Sequence, residues 1–358
     1  MDKLSIIIRN RNEQDYIGFA IQSCIDFFKT PEIIIVNNNS VDNSIEIVNL
    51  FNDRTDIKII NNESYTPGKS INLGVKSASS DYIMILSAHA QIKKLDFEIV
   101  KESLEKHSAI FGKQIPIYKG KKILVSGNTG FKGAWLTCWL LKLGAEVVGI
   151  SKDIPSEPSM FNALNLSSSI KHYENDIRDY DSLLTIVMNE KPDMIFHLAA
   201  QAIVSESYID PVETITSNVI GTMNILEVAR KIDWPTVCVL ITSDKTYDNL
   251  EWEWGYKETD MLGGKDIYSG SKGSADIIIK SYFNSFFNEK NSHIKLGVGR
   301  AGNVIGGGDW AKDRIIVDTV KAWSKKETVK IRCPKATRPW QHVLEPLSGY
   351  LTLGHNLL

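Results

Sequence analysis

Residues 121–133 read KKILVSGNTGFKG, an apolar, β-branched stretch that runs straight into a turn holding Gly127, Gly130 and Gly133. The helix-period stretch FKGAWLTCWLLKLG follows, with Gly144 placed to cap its end. This strand–turn–helix unit constrains the fold more than any other feature of the chain. Glycines at such a turn let the backbone approach a pyrophosphate. The anion then rests on the helix N-terminus, where free N–H groups and the helix dipole favour negative charge. A glycine triplet alone is weak evidence, but between a strand and a helix it reads as a dinucleotide turn rather than a bland tight turn.

Around this turn, β-branched runs alternate with amphipathic helical stretches, which is the α/β pattern. One series comprises Ser5–Arg9, Glu32–Asn37, Ile57–Asn61 and Asp81–Ser87, separated by helices such as Gln14–Phe28 and Asn43–Asn52. QIPIYKG (114–120) breaks the pattern with Pro116 and Gly120. A second series continues through Lys121–Ser126, Ala145–Ser151, His172–Glu174, Asp193–Ala199, Thr236–Thr242 and Lys295–Arg300. Two independent first strands predict two nucleotide-binding folds in tandem, 1–113 and 121–358, joined by a 114–120 linker.

Composition limits the function classes. The 358 residues are 43% hydrophobic and 23% charged with net charge −2, so nothing global points to nucleic acid or a membrane surface. No run approaches the ~20 apolar residues of a membrane span. MDKLSIIIRNRNE does not read as a signal peptide. Cys24, Cys138, Cys238 and Cys333 lack metal-ligand spacing and read as free thiols, and the seven histidines form no HExxH cluster. The expectation is a cytoplasmic enzyme without a metal.

The second strand, AEVVGIS, ends at Ser151, where an acid would grip an adenosine ribose; here Asp153 is the first acid. That departure leaves NAD favoured and NADP open. In NDIRD, Asp176 can accept from an adenine amino group while Ile177 packs on the ring; alternatively Asp176 caps the helix starting at Asp179. HLAAQ (197–201) ends a strand in the small residues Ala199 and Ala200, which suits a close cofactor, and His197 reads as a satisfied core histidine. Tyr268-Ser-Gly-Ser-Lys272 places a phenol and an ammonium at i and i+4 on one helix face. The lysine is expected to lower the phenol's pKa, so that the phenolate takes a hydroxyl proton. Thr242-Ser243-Asp244-Lys245 ends a preceding strand, where parallel sheets carry chemistry, and either Ser243 or Thr242 can hydrogen-bond the reacting hydroxyl.

GNTGFKG, NDIRD, HLAAQ, SNVIGT (217–222), TSDK, YSGSK and RAGNVIGGGDW (300–310) together resemble the nucleotide-sugar epimerase/dehydratase family of extended short-chain dehydrogenases. TGFKG followed by Ala134 and Trp135, WEWGY (252–256), LGGKDIYSGSK (262–272), RAGNVIGGGDWA (300–311) and KATRPWQHVLEPLSGY (335–350) are similar to its CDP-glucose 4,6-dehydratase branch. The likeness runs from Lys121 to near Leu353. It implies a doubly wound Rossmann sheet and NAD resting on Gly127, Thr129, Gly130, Phe131, Gly133, Asp153, Asp176, Ile177, Leu198, Ala199, Ala200, Tyr268 and Lys272. It also implies oxidation of a sugar at carbon 4, loss of water across carbons 5 and 6, and return of the hydride at carbon 6. Asp244 fits the acid; Lys245 stands where related dehydratases have the glutamate base, and serves as base only with a depressed pKa. Asn218 and Asn303 are expected near the sugar and phosphates, and Arg338 as a diphosphate ligand. Trp310, Trp340 and His342 either line the nucleotide pocket or belong to the core, and Arg300 reads as structural. The implied substrate is CDP-glucose. Family members pair through two long helices, for which Val212–Lys231 and Ile267–Asn288 are candidates, so a homodimer is expected.

Residues 1–112 resemble the first half of a family 2, GT-A type glycosyltransferase through SIIIRNRNE (5–13), EIIIVNNNSVDNS (32–44) and YTPGKSINLGVKSASSDYIMILSAHAQ (65–91). The resemblance places the first strand and Asp42 around a nucleotide, with Ser87-Ala88-His89 where a metal-binding D-x-D is usual. The acceptor half is missing. The small substrate domain of the second unit is also short, which predicts exposed apolar surface. Three other readings stay open: a sugar transferase with an inert dehydrogenase fold, an inactive fused fragment, and a dehydratase or epimerase acting on another nucleotide sugar.

Overall fold

The computed structural model describes residues 4–63, 67–80, 82–88, 116–250, 255–289, 292–332, 336 and 338–358. Asp81, His89, Gln91, Trp252, Trp254, Cys333, Lys335, Thr337 and residues 114–115 of the expected linker lie outside the described residues. The chain divides into two compact units, Met1–Lys106 and His107–Leu358.

In the first unit, β1 (Leu4–Asn10), β2 (Glu32–Asn37), β3 (Asp56–Asn61) and β4 (Tyr82–Ser87) form a parallel sheet in the order β3-β2-β1-β4. Position in the sheet explains the residue patterns. The inner strand β2 is covered on both faces and reads as one apolar run, EIIIVN, buried throughout. The edge strands β3 and β4 alternate between covered and open positions instead. Ile6, Ile8, Ile33 and Ile35 pack with Ile17, Ile21 and Cys24 of the Ile17–Phe27 helix. Each such isoleucine contributes about 1.5–3 kcal/mol of burial.

In the second unit, β5 (Lys122–Ser126), β6 (Glu146–Ser151), β7 (Lys171–Glu174), β8 (Met194–His197), β9 (Thr236–Ile241) and β10 (Ile294–Gly299) form a parallel sheet. Its order is β10-β9-β8-β5-β6-β7. The strand order reverses between β5 and β8, so their C-terminal ends open the crevice where doubly wound sheets bind ligands. The expected strand Asp193–Ala199 stops at His197, leaving Leu198, Ala199 and Ala200 in the loop beyond it. Two apolar layers cover the sheet: Leu136, Leu140, Leu347 and Leu351 on one face, and Leu183, Val187, Leu226 and Ile279 on the other. At the opposite end from the crevice, the buried Glu190 accepts from Tyr173 Oη at 2.5 Å and from Lys122 Nζ at 3.4 Å, and pairs with Lys171. Tyr118 donates to Leu351 O at 2.6 Å, which ties the Leu344–Leu357 helix to the start of the unit. β11 (Asn303–Ile305) pairs in parallel with β12 (Trp340–His342).

Both long-helix candidates contain π turns. Pro211–Ile215 leads into a π turn at Thr216–Ile220 and then Gly221–Ala229; Ile267–Tyr282 ends in another at Phe283–Phe287. The Ile315–Ser324 helix leaves Ile316, Val320 and Trp323 exposed.

Candidate active site

The glycine turn is built by steric exclusion. Gly127 has φ 77°, a left-handed conformation, and a Cβ there would lie 2.7 Å from Ala199 N. At Gly133 a Cβ would lie 2.0 Å from Gly127 O, so only glycine lets the helix approach the turn. The Phe131–Lys142 helix begins after Gly130, and no side chain caps it. Its first-turn amides are thus left for a ligand, which fits the diphosphate of a dinucleotide. Thr129 Oγ1 donates to Asp153 O at 2.6 Å, and Phe131 packs beside Gly306.

The adenosine side differs from expectation. Ser151, where an acid is usual, is consumed internally: its Oγ donates to Asn128 Oδ1 at 2.8 Å and accepts from Thr129 N at 3.3 Å. The side chain of Asp153 is exposed. Asp176 is neither a helix cap nor an open acceptor. Arg178 engages it through Nε at 3.0 Å to each oxygen and Nη2 at 2.6 Å, and this guanidinium holds the carboxyl below its usual range. Asp179 caps the following helix instead, accepting from Ser182 N at 3.1 Å. Ile177 is buried against Gly221.

His197 is a structural residue. The Thr222 hydroxyl donates to Asn218 O at 2.7 Å, so towards His197 Nε2, 3.1 Å away, it accepts. The proton therefore sits on Nε2, and Nδ1 accepts from Ser126 Oγ at 2.7 Å. Burial first, and the Lys272 charge second, push the imidazole down to about 3. An unfolded histidine takes a proton below about 6.5 whereas this one resists until about 3, so stability present above 6.5 is lost as pH falls through that window. His197→Asn is expected to flatten the pH dependence of the urea midpoint between those limits; an unaltered slope would sink this account.

Asn218 lies within the π turn and is buried. Its Oδ1 accepts from Gln201 N at 2.8 Å, and its Nδ2 donates to Gln201 O at 3.1 Å and Ser271 Oγ at 2.8 Å. Its amide is occupied by the protein, which corrects the expectation of a sugar contact: Asn218 fastens the loop after β8 to the Tyr268 helix.

The structure brings the reactive residues together at the end of β9. Thr242 N donates to Gly299 O at 2.9 Å, and Thr242 Oγ1 is buried with no hydrogen-bond partner. Such an orphaned hydroxyl needs an explanation, and an incoming hydroxyl group is one. Ser243 Oγ donates to Asp244 Oδ1 at 3.0 Å, and its hydroxyl favours the ionised form of the Tyr268 phenol. Tyr268 and Lys272 are both buried. Contrary to expectation, the phenol's pKa is raised rather than lowered. Burial dominates, while Arg314 and the Ser243 hydrogen bond pull the other way. The same burial, with the charge of Lys132, pushes Lys272 down to about 7. Lys245 is half-buried in the turn after Ser243, whose Oγ accepts from Lys245 N at 3.3 Å.

Lys132 escaped the sequence reading. It sits on the first turn after Gly130, and burial and Arg314 push it down to about 8. Its only signal was a lysine inside GFKG, a position read for its glycines alone. On the outer side, Asn303 opens β11, and Trp310, Arg338, Trp340 and His342 are exposed. His342 Nδ1 accepts from Leu344 N at 3.3 Å, and Trp135 meets its ring edge-on. As read from the sequence, Arg300 is structural: it donates to Tyr247 Oη at 2.8 Å and Asp276 at 3.3 Å.

In the first unit the strand ends carry amides. Asn37 Nδ2 donates to Asn61 Oδ1 at 3.0 Å, and Asn62 Nδ2 to Asn38 Oδ1 at 2.9 Å. Asp42 is spent on its own loop and the one after β1, accepting from Gln14 N at 3.0 Å, Ser44 N at 3.1 Å and the Ser44 hydroxyl. Burial opposes its charge, but these bonds hold the carboxyl below its usual range. Among the described residues, no three His, Cys, Asp or Glu side chains are grouped to hold a metal.

A doubly wound sheet, a glycine turn packed against a bare helix start, and a buried Tyr–Lys pair beside the Ser243–Asp244 turn define a short-chain dehydrogenase-type Rossmann unit. The chain belongs to the GDP-mannose 4,6 dehydratase family, whose profile matches residues 124–350. It is 47% identical over 244 residues to CDP-glucose 4,6-dehydratase of Salmonella typhimurium, covering 67% of this chain and 68% of that protein. It is 26% identical over 199 residues to dTDP-D-glucose 4,6-dehydratase of Dictyostelium discoideum, covering 52% of this chain but 44% of that protein. Among solved structures, DesIV, a dTDP-glucose 4,6-dehydratase from Streptomyces venezuelae, shares the fold at TM-score 0.58 and 21% identity, covering 65% of this chain and 71% of that one. UDP-glucuronic acid 4-epimerase from Bacillus cereus does so at TM-score 0.56 and 23% identity, covering 65% and 72%. Residues 5–144 match glycosyl transferase family 2.

Proposed function

We propose that the second unit is an NAD-dependent CDP-glucose 4,6-dehydratase that forms CDP-4-keto-6-deoxyglucose. The observation that carries this is the 47% identity to the Salmonella enzyme, in a chain whose Tyr268, Lys272, Ser243 and Asp244 meet at one strand end. Bound NAD supplies a store for the electron pair taken from carbon 4 and returned at carbon 6. It would be held by Gly127, Thr129, Gly130, Phe131 and Gly133 at its diphosphate, with Ile177 and the loop at Leu198–Ala200 flanking it. Tyr268 takes the carbon-4 hydroxyl proton, and Lys272, when charged, favours the phenolate. Thr242 and Ser243 hold that hydroxyl. Asp244 is assigned as the acid that protonates the departing carbon-6 hydroxyl, which leaves as water. Arg338 and His342 are assigned to the CDP group, and Asn303 and Trp310 to the sugar side.

The full chain incubated with CDP-glucose and NAD is expected to give a 4-keto product, read by its absorbance in alkali. Product from another glucose nucleotide alone would replace the substrate; no product from any would remove the activity. The first unit, by its glycosyl transferase family 2 match, is read as a nucleotide-sugar-binding module. We place the protein in the cytoplasm; no helix among the described residues is long and apolar enough to cross a membrane. A second copy is the partner we assign to the exposed apolar residues of the two long helices, Val212 and Ile277 among them.

A further inference from the structure

Ser243, Asp244 and Lys245 ride on one element, a turn, and Tyr268 and Lys272 on another, a helix. The reaction proposed above needs the two in register. Thr246 closes the turn Asp244–Thr246 and is fully buried. Its Oγ1 donates to Asp276 Oδ2 at 2.5 Å. Asp276 lies on the Ile267–Tyr282 helix, one helical turn beyond Lys272 and on the same buried side as Tyr268 and Lys272. Its other oxygen, Oδ1, accepts from Arg300 Nη2 at 3.3 Å, and Arg300 Nη1 donates to Tyr247 Oη at 2.8 Å. The residues flanking Arg300 hold the same run by backbone: Gly299 O accepts from Thr242 N at 2.9 Å, and Ala301 O from Asp244 N at 3.1 Å. The reacting turn, the Tyr–Lys helix and the end of β10 thus converge on one buried carboxylate.

A Cβ at Gly273 would lie 3.3 Å from Thr246 O, so the turn is already pressed against the helix and cannot come closer. The Thr246–Asp276 bond keeps it from moving away. Stability does not account for a carboxylate here, because a buried ion pair adds little over apolar side chains of the same volume. The placement it enforces does. We propose that Asp276 is a positioning residue for the elimination step: through Thr246 it holds the turn bearing Asp244 at a fixed distance from the Tyr268–Lys272 helix. This rests on the dehydratase reading. Oxidation at carbon 4 uses Tyr268 and Lys272, which stay on their helix whether or not the clamp is closed, and Thr242 keeps its bond to β10. Loss of water uses Asp244. That residue is anchored at its N–H by Ala301 O, and the clamp at Thr246 fixes its other side. A displacement of about 1 Å at a reacting group costs on the order of a hundredfold, so opening the clamp separates the two halves of the reaction.

The test follows a single turnover of CDP-glucose by the full chain. The near-ultraviolet absorbance of reduced NAD reports oxidation, and the mass of the sugar nucleotide reports loss of water. Thr246→Val keeps the side chain's shape, removes its hydroxyl and leaves the Asp276–Arg300 pair intact. It is expected to oxidise the sugar within about threefold of the unaltered rate while water loss slows by on the order of tenfold to a hundredfold, so that reduced NAD accumulates. Thr246→Ser restores the hydroxyl and should bring water loss back to within about threefold. Asp276→Asn is expected to show the same split as Thr246→Val; if it does not fold, Thr246→Val decides alone. Both steps slowed equally in Thr246→Val, or neither slowed, overturns the assignment. A Thr246→Val chain that does not fold, or a Thr246→Ser chain no faster than it, makes the bond part of the scaffold and also overturns it. An unaltered protein that forms no dehydrated product from any nucleotide sugar removes the dehydratase reading, and this assignment with it.

Discussion

Tyr268→Phe is expected to lower turnover of CDP-glucose by on the order of a thousandfold while leaving NAD affinity within a few-fold. The ring is buried, so phenylalanine keeps its packing and removes the hydroxyl alone. The catalytic loss is expected to be large because, on the proposed reading, the phenol receives the sugar's proton. Burial raises its pKa, so the reaction must supply what the resting site does not: a partner for the phenolate. We assign that role to the Lys272 ammonium, and since burial pushes its pKa down to about 7, turnover is expected to depend on pH near neutrality. Single-turnover formation of the 4-keto product, with NAD titration alongside, measures both quantities. Undiminished turnover would take Tyr268 out of the chemistry.

Gly133→Ala is expected to destabilise the second unit by roughly 2–4 kcal/mol and to weaken NAD binding on the order of a hundredfold. The added methyl would sit 2.0 Å from Gly127 O, 2.7 Å from Gly127 C and 2.9 Å from Asn128 Cα, all backbone atoms that cannot rotate aside. The helix must back away from the turn, and the amides that would meet the diphosphate move with it. Gly349→Ala is the control. It lies inside the Leu344–Leu357 helix with nothing within 4 Å of the new methyl, so it should stabilise by about 0.5–1 kcal/mol. Equal effects at the two positions would mean that helix propensity, not the clash, governs the response.

Most of this architecture was legible in the residues because parallel strands buried on both faces are written as unbroken apolar runs. EIIIVN and KILVS are read directly, and the structure places their ends within a residue or two of expectation. The glycine turn and the Tyr–Lys pair were legible for a related reason: each depends on a local spacing. What the sequence hid depends on distant partners. Nothing near Asp176 announces that Arg178 will fold back on it, since an i, i+2 pair faces together only when the loop bends. Asn218 looked like a ligand because its partner Ser271 is fifty-three residues away. Lys132 went unread because the Tyr350 ring, 6.0 Å from its Nζ, comes from the far end of the chain.

The π turn at Thr216–Ile220 also sets a phase. In an unbroken α-helix each residue advances about 100°, so Ile220 would point roughly 80° away from Val212. One extra residue wound into the turn removes about 100° of that advance, and Ile220 comes back to within about 20° of Val212's direction. Val212, Ile215 and Ile220, exposed at 70%, 37% and 38%, then line up as one outward stripe, while Asn218 stays turned inward to the Tyr268 helix. Deleting a single residue from this turn would restore regular winding and shear the stripe, leaving the catalytic residues themselves unaltered in sequence.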